Sequence, residues 1–548
     1  MITKINKFIG IVCFTCLFTA CQDQMEYNEY VVIDKEFVEG NFSYVGGLMS
    51  TVYRQLDYDY GQNYGGAMLA SATDEAEYAY TGNSIEDFYN GGWSPSAPKA
   101  SLWTSAYKGI TYCNLVLDKF QGLTFDELKA NTDYYKQMHR YENYKYEARW
   151  ARAYFYFTLL RQYGGVPLVT SDITPEESNQ LSRATAEEIF SFIESECDAI
   201  KDHITADYNT DQWMLDAAET GRADRLTVLA LKARAALYHA SPLFNTSGDK
   251  SLWQKAAKAT KDVIDEAEAR GKKLANNYDG LWSETNYSNA DAAGEIIFGR
   301  RVGNVATPES YNFPIGIEGG NGGNCPTQNL VDAYESGDKR FALTIAKNGD
   351  TGWPATNKTG LETFYGGANA QPISGGTPTG YYLKKLCNSS IDLSANSKKK
   401  TANHTWVTFR LGEFYLNYAE AVYQYLGNAT ATSSEFPMSA WEAASKTRVR
   451  AGLTAFDGTG DFWTQYQKER FVELAFEGHR FWDVRRWKEA DKFFKSITEL
   501  KLTKNDDGTI TSTRQTVSRQ WSDKMYLFPI PQTEIMKNSN LTQNPGWE

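Results

Sequence analysis

Three glutamates at a spacing of four residues are the first candidates for chemistry in this sequence. Glu469, Glu473 and Glu477 lie in residues 469–488, ERFVELAFEGHRFWDVRRWK, and this spacing puts them on one face of a helix. Paired carboxylates can serve as general acid and base in hydrolysis. Arginines and aromatic residues alternate with these carboxylates. We therefore predict an ion-pair network that fixes two helices and the turn at Gly478, rather than a catalytic pair.

Other signals for catalysis or metal binding are weak. The glycine-rich run 319–324, GGNGGN, lacks the lysine and the strand–helix context of a phosphate loop. Neither an HExxH motif nor paired spacing is found among the five histidines, His139, His203, His239, His404 and His479. We therefore expect no catalytic residue, no metal and no cofactor.

Two loop-like regions combine aromatic side chains with amides and carboxylates. Aromatic rings pack against the apolar faces of sugars, and polar side chains pair with sugar hydroxyls. The first region lies within residues 58–97 and the second within residues 271–406, where Gly, Asn, Pro and Tyr are frequent. The predicted ligand-binding residues are Asp74, Tyr89, Trp93, Trp282, Tyr287, Tyr311, Asn321, Asn324, Trp353 and Tyr365.

Trp93 carries the sharpest of these predictions. It lies in a Gly-Gly-Trp-Ser-Pro turn, outside any helical or alternating apolar stripe. A tryptophan of the core normally belongs to such a stripe. We therefore expect Trp93 to be displayed and to stack on a sugar ring, with Asp74 binding the hydroxyls.

The N-terminus has the pattern of a bacterial lipoprotein signal. Lys4 and Lys7 precede an apolar run over residues 8–18, which is shorter than the roughly 20 residues that span a bilayer. Small residues then lead to Cys21, so we predict cleavage after residue 20 and lipidation of Cys21. An ordinary secretory signal with a chance cysteine is the alternative. Residues 21–35 are predicted to form an acidic tether.

Composition and charge limit the partners. The chain has 548 residues and a formal net charge of −12, which becomes −14 once Lys4 and Lys7 are removed with the signal. This charge argues against a nucleic-acid partner. Spacing leaves the pairing state of Cys325 and Cys387 open.

Apolar periodicity predicts a mainly α fold. Alanines on the contact stripes favour stacked helical hairpins of the tetratricopeptide type, although the 34-residue signature is absent. We predict one domain over residues 36–548, with a helical scaffold at 36–270 and 407–548 and a loop-rich insert with short β-strands at 271–406. The longer helices are expected at 99–120, 141–163, 185–201, 222–239, 253–269, 407–426, 439–450 and 463–489.

Several segments resemble one family when they are taken as a set. They are WTSAYKGITYCN at 103–114, EARWARAYFYFTLLRQYGGVPLV at 147–169, FRLGEFYLNYAEA at 409–421, residues 469–488, FPIPQTEI at 528–535 and LTQNPGW at 541–547. The set resembles the SusD/RagB family of outer-membrane nutrient-binding lipoproteins. The resemblance implies a tetratricopeptide-like α-superhelix and a lipid-anchored protein on the outer membrane, facing the cell exterior. It also implies capture of oligosaccharide or polysaccharide beside a SusC-type TonB-dependent transporter.

Two other classes of function stay open at this stage. A glycoside hydrolase would need a convergent pair of carboxylates in the loop cleft. A helical-repeat scaffold that binds only protein would lack displayed aromatic residues in its loops. Non-catalytic glycan binding is the preferred interpretation.

The lipoprotein prediction can be tested at Cys21. Cys21→Ala removes the only predicted acylation site, so the variant should leave the membrane fraction and become soluble. Membrane fractionation in cells without the partner transporter measures this. A variant that still sediments with outer membrane would contradict the predicted anchor.

Overall fold

A computed structural model describes residues 38–99 and 102–548 of the chain. The predicted signal peptide, Cys21 and the acidic tether at 21–35 lie outside the described residues, so they stay predictions.

Helices dominate the N-terminal half. Thr185 begins one of them with the predicted capping box, because its hydroxyl accepts from the Glu188 amide while the Glu188 carboxylate accepts from the Thr185 amide. The bounds are α1 Phe42–Arg54, α2 Asp87–Asn90, α3 Trp103–Lys119, α4 Tyr134–Tyr163, α5 Pro175–Ser178, α6 Ala186–Ile200, α7 Arg225–Ala240 and α8 Lys250–Ala269.

The long helices form a continuous stack. Helix α3 packs on α4, α4 on α6, α6 on α7, and α7 on α8. Small residues permit these contacts: a side chain at Gly109 would collide with the ring of Phe155, and α7 and α8 bury a series of alanines. One hydrophobic core runs through the stack and into the C-terminal helices. Stacked neighbours of this kind bury a shared core that no single hairpin could cover.

The insert contains short helices and strands between ordered loops. Strands β2 and β6 pair in antiparallel orientation, as do β4 and β5. Cys325 and Cys387 are free thiols. The bounds are β1 Ala76–Tyr78 from the N-terminal half, then α9 Ala290–Glu295, β2 Ile296–Val305, α10 Thr307–Asn312, β3 Asn324–Pro326, α11 Gln328–Ala333, α12 Lys339–Thr344, β4 Ile345–Lys347, β5 Tyr381–Leu383 and β6 Ala402–Arg410.

The C-terminal part returns to helices, with two differences from prediction. Residues 407–410 belong to β6, and the helix expected at 463–489 divides into two because Phe476 and Gly478 adopt left-handed backbone conformations. Strands β7 and β8 form an antiparallel hairpin. The bounds are α13 Leu411–Leu426, α14 Ala440–Arg450, α15 Phe462–Glu473, α16 Arg480–Arg486, α17 Ala490–Phe493, β7 Ser496–Lys504, β8 Ile510–Ser518 and α18 Gln532–Lys537.

The predicted ion-pair network is present, but only Glu469 and Glu473 lie on α15, and Glu477 lies in the turn after it. Glu473 accepts from Arg340 at 2.8 Å and from Arg410 at 2.6 Å, and it also pairs with Arg450. All of these groups are buried. Burial alone would raise the pKa of Glu473, but the three guanidinium groups outweigh it and hold that pKa well below its ordinary value.

The other two glutamates extend the same network. Glu469 accepts from Arg340 at 2.6 Å. Glu477 accepts from Arg410 at 2.7 Å and from Lys385 at 2.7 Å. Because Arg340 and Lys385 come from the insert and Arg410 ends β6, the network binds the insert to the C-terminal helices. The carboxylates are therefore used for structure, as the alternation with arginine indicated.

Within the described ranges, none of the helices combines the length and the apolar character that a bilayer crossing needs.

Glu473→Gln should test this network. Removing one partner of a buried charge cluster typically costs about 3–5 kcal/mol, so we expect a large fall in melting temperature at pH 7. Since the folded pKa is depressed, the Glu473 contribution is present above the ordinary glutamate pKa of about 4.3 and is lost as pH falls below it. The gap between wild type and variant should therefore be constant from about pH 7 to 5 and narrow at about pH 4. The control is Glu534→Gln, which removes a surface ion pair with Lys537. If it lowers the melting temperature as much as Glu473→Gln does, the stabilising role of the buried network is contradicted.

Candidate functional site

A small sheet joins the two regions that the sequence singled out. Strand β1, from the first region, pairs in antiparallel orientation with β3 of the insert, with Ala76 opposite Pro326 and Tyr78 opposite Asn324. The pairing continues where the Ala79 amide donates to the Gly323 carbonyl at 2.9 Å. Loops that are far apart in sequence therefore form one continuous surface.

Tyrosines lie along this junction. Alternate residues of a strand point to the same face, so Tyr78 and Tyr80 are neighbours, with ring centroids 5.7 Å apart. Tyr311 lies at the end of α10, and Asn321 is held by its side-chain amide, which donates to the Ser310 carbonyl at 2.8 Å. We refer to Tyr78, Tyr80, Tyr311 and Asn321 as the tyrosine surface.

Two glycines allow these rings to sit where they do. A side chain at Gly66 would collide with the Tyr78 hydroxyl and approach the Tyr311 ring to 3.2 Å. A side chain at Gly375 would collide with the Tyr80 hydroxyl and come within 2.9 Å of the Asn321 carbonyl oxygen. Both glycines also have positive φ, at 104° and 80°. The two contacts show that all four members of the tyrosine surface meet within one area.

The hydroxyls of Tyr78 and Tyr80 stay protonated. Burial raises the pKa of Tyr78 to about 12, and the neighbouring Tyr80 and Tyr311 add to the effect. Burial also raises the pKa of Tyr80. Tyr80 and Tyr311 are half-buried and Asn321 is exposed. The surface therefore offers partly open rings, neutral hydroxyls and an amide.

The prediction that Trp93 is displayed is wrong. Its side chain is only 3% exposed. The indole makes edge contacts with Phe88 at 4.7 Å, with Phe528 at 4.7 Å and with Trp547 at 5.1 Å between ring centroids. Phe88 and two residues of the C-terminal segment thus enclose the indole ring, so the ring is not available to stack on a sugar.

Asp74 is also buried, and its role is structural. Its two carboxylate oxygens accept from the Arg480 guanidinium at 2.9 and 2.7 Å. The adjacent Glu75 carboxylate accepts from the amide of Phe476, in the turn before α16. Burial raises the pKa of Glu75 to about 8, although this hydrogen bond opposes the rise. Asp74 and Glu75 together fasten the first region to the α15–α16 turn, so Asp74 is not available to bind hydroxyls.

Asn324 is used entirely within the protein. Its side-chain oxygen accepts from the Met68 amide at 2.8 Å and from the Ser71 hydroxyl at 2.9 Å. Its side-chain nitrogen donates to the Gly66 carbonyl at 3.1 Å and to Asn312 at 2.8 Å. Asn324 therefore supports the surface from below, and its prediction as a ligand contact is wrong.

The two tryptophans of the insert are buried as well. Trp282 lies beneath the Lys385 ammonium group, which is 4.5 Å from its ring centroid. Trp353 packs edge-on against Phe313 at 5.6 Å in a small separate core. Their prediction as displayed sugar platforms is wrong for the same reason as that of Trp93: tertiary contacts bury them.

The remaining predicted residues are more open. Tyr89 is half-buried, with the Arg519 guanidinium 4.2 Å from its ring centroid. Tyr287 is half-buried against β2, where its hydroxyl donates to the Gly299 carbonyl at 3.3 Å. Tyr365 is 69% exposed at the start of the loop that carries Gly375. Of the predicted set, Tyr311 and Asn321 meet at the tyrosine surface.

Tyr80 was missing from the prediction. The alternation in Ala-Glu-Tyr-Ala-Tyr, residues 76–80, is the signal that would have placed it beside Tyr78 on one face of a strand.

One carboxylate pair lies behind the tyrosine surface. Glu77, between Ala76 and Tyr78 on β1, hydrogen-bonds to Glu499 of β7, and burial followed by this contact raises the pKa of Glu77 to about 8. Carboxyl groups in hydrogen-bond contact are closer than the about 5–5.5 Å of retaining or 6.5–9.5 Å of inverting glycosidases. This pair therefore does not have the geometry of a glycosidase. In the part of the chain that the structure describes, no cluster of three or more His, Cys, Asp or Glu side chains is placed to hold a metal ion.

Comparison with known proteins decides the family. The profile described as "SusD family" matches residues 274–547, which is half of the chain. The chain belongs to the SusD family. A second profile, described as "Starch-binding associating with outer membrane", matches residues 48–219, so the two profiles account for both halves of the SusD-like chain.

Individual relatives agree with this assignment. The starch-binding protein SusD of Bacteroides thetaiotaomicron is 24% identical over 531 residues, covering 87% of this chain and 84% of that protein. A SusD-like protein from Bacteroides fragilis has a TM-score of 0.74 at 24% identity, covering 93% of this chain and 98% of that one. A laminarin-binding SusD-like protein has a TM-score of 0.65 at 21% identity, with 92% and 99% covered. These likenesses confirm the predicted tetratricopeptide-like SusD fold.

Trp93→Ala should now act on stability rather than on binding. Truncating a buried tryptophan typically costs about 3–5 kcal/mol, so the melting temperature should fall strongly. Trp213→Ala, which truncates a 46% exposed tryptophan, is the matched control and should change it little. Thermal unfolding measures both. An unchanged melting temperature for Trp93→Ala would show that the ring is not part of the core.

Proposed function

We propose that this protein is a non-catalytic, cell-surface glycan-binding lipoprotein that captures oligosaccharide or polysaccharide and delivers it to a SusC-type TonB-dependent transporter. The observation that carries the proposal is the junction of β1 and β3, which unites the two aromatic, polar loop regions in one tyrosine surface. Names of relatives support the ligand class, since they include a starch-binding protein and a laminarin-binding one.

The chemistry of the tyrosine surface fits a sugar. Half-open rings can pack against the apolar face of a pyranose, while neutral hydroxyls and the Asn321 amide can exchange hydrogen bonds with its hydroxyls. The surface stands on a fixed base, because Asn324 and the paired strands hold the loops. A preformed surface loses little conformational entropy when a ligand binds.

Binding without hydrolysis is the second part of the proposal. Glu77, which is adjacent to Tyr78 on β1, contacts Glu499. Glu473 of α15 is neutralised by buried arginines, and Glu477, in the turn after α15, pairs with Lys385. Neither set combines an open cleft with the separation that glycosidases use. A purified sample that releases reducing ends steadily from a bound polysaccharide would contradict this part.

Anchoring and delivery complete the proposal. The family description places such proteins at the outer membrane, and the predicted lipidation of Cys21 would hold this one there. Exposed aromatic residues such as Tyr365 favour a glycan ligand over a scaffold that binds only protein. Extraction of native membranes in mild detergent should yield the protein together with a large β-barrel.

Tyr80→Ala and Tyr311→Ala test the binding site. Each removes one ring, and an aromatic contact contributes about 0.5–1.5 kcal/mol, so each should weaken glycan binding about two- to tenfold. Isothermal titration against a panel that includes soluble starch and laminarin measures this. Tyr44→Ala, an exposed tyrosine on α1, is the control. If neither site variant loses affinity for a polysaccharide that wild type binds, the tyrosine surface is not the site.

A further inference from the structure

An open pocket lies on the helical scaffold, and it shares no residue with the tyrosine surface. One wall is a face of α4, where His139 and Tyr146 are seven residues apart and so lie on the same side of the helix. The other wall is the segment after α6, which carries His203, Asp211 and Trp213. The cavity has a volume of about 610 Å³, within the range of about 300–1,000 Å³ that is usual for small-ligand sites.

Trp213 is displayed in this pocket and is held in place. It is 46% exposed, and no other tryptophan in the described ranges is exposed to that degree. Its backbone amide donates to one Asp211 carboxylate oxygen at 2.9 Å. The other Asp211 oxygen contacts His139 Nε2 at 2.7 Å. The Asp211 carboxylate therefore connects the Trp213 turn to helix α4 and fixes the backbone that carries the indole.

A stacked pair of rings connects the two walls. The rings of Tyr146 and His203 are stacked, with centroids 5.8 Å apart and an angle of 17° between their planes. The Lys145 ammonium group lies 4.9 Å from the Tyr146 ring centroid. The stacked pair therefore joins α4 to the segment after α6. A pocket lined by an exposed indole, a tyrosine, imidazoles and polar side chains is suited to a ligand with both apolar and hydroxyl-bearing faces.

Two carboxylates at the pocket are paired within the protein. Asp211 contacts His139, as described, and the Asp207 carboxylate accepts from the Asn209 amide at 2.9 Å and lies 4.0 Å from Arg270. The lining also includes Glu142 and Lys145, which carry opposite charges, so charges of both signs surround the pocket. A neutral ligand rich in hydroxyl groups fits the remaining donors and acceptors better.

We propose that this pocket is a second saccharide-binding site, in which a pyranose ring stacks on Trp213 between α4 and the segment after α6. The choice of ligand class rests on the proposed glycan-binding function; the site itself rests on the geometry of the pocket. Two separate sites on one chain would let a long polysaccharide bind at both, so that the second contact is intramolecular and overall affinity rises.

The test compares Trp213→Ala with Tyr135→Ala in the full-length protein. Tyr135 is 73% exposed on α4 and does not line the pocket, so it controls for the loss of a surface aromatic. Both variants are also made in a background that carries Tyr80→Ala and Tyr311→Ala. Binding to soluble starch, laminarin and other neutral polysaccharides is measured by titration, and melting temperatures confirm folding. Trp213→Phe retains a flat ring and should retain part of the affinity.

We expect Trp213→Ala to weaken binding at least threefold, and to remove the residual binding of the Tyr80→Ala, Tyr311→Ala background, while Tyr135→Ala changes neither. Unchanged affinity of Trp213→Ala, with binding lost in the Tyr80→Ala, Tyr311→Ala protein, would overturn the second site and leave the proposed function intact. If Trp213→Ala loses glycan affinity and the Tyr80→Ala, Tyr311→Ala protein does not, the pocket is supported as a site and the tyrosine surface is rejected. Absence of binding to every polysaccharide in the wild-type protein would overturn both.

Discussion

The buried pairing of the α15 glutamates with arginines is the interaction on which the arrangement of this protein depends. Glu473 is surrounded by guanidinium groups from three elements, α12, the end of β6 and the end of α14. An unpaired charge in such a place is very costly, so each element is held at the position where its arginine meets the carboxylate. Packing of apolar side chains gives the helical stack its stability, but apolar contacts alone tolerate many arrangements. The charge network favours one of these arrangements, because only that one brings all three arginines to Glu473.

The position of the tyrosine surface depends on the same region through a short connection. Asp74 pairs with Arg480 and Glu75 accepts from the Phe476 amide, so the first loop region is fastened to the turn that follows α15. Strand β1 comes directly after these two residues and carries Tyr78. The tyrosine surface is therefore positioned by the scaffold, although its residues lie in loops. Loops that are fixed in this way can act as a preformed site.

Sequence reasoning predicted the scaffold well and the exposure of the candidate ligand residues poorly, for a physical reason. Helices such as α6 and α8 have apolar stripes and caps that are local in sequence, and their ends were predicted within a few residues. The environment of Trp93 is made by Phe528 and Trp547, more than 400 residues away, and a turn sequence contains no information about them. Tyr311 and Asn321 were predicted because their region is rich in aromatic and amide side chains. Their proximity to Tyr80 arises only from the pairing of β1 with β3, which the sequence did not show.

The two glutamates of the acidic segment 74–77 link folding to the binding of protons. Burial raises the pKa of both Glu75 and Glu77 to about 8, so both side chains are mostly protonated at neutral pH in the native state and ionised in the unfolded chain. Each of these two carboxyls therefore carries less negative charge in the native protein than in the unfolded chain. Unfolding releases their protons to the buffer.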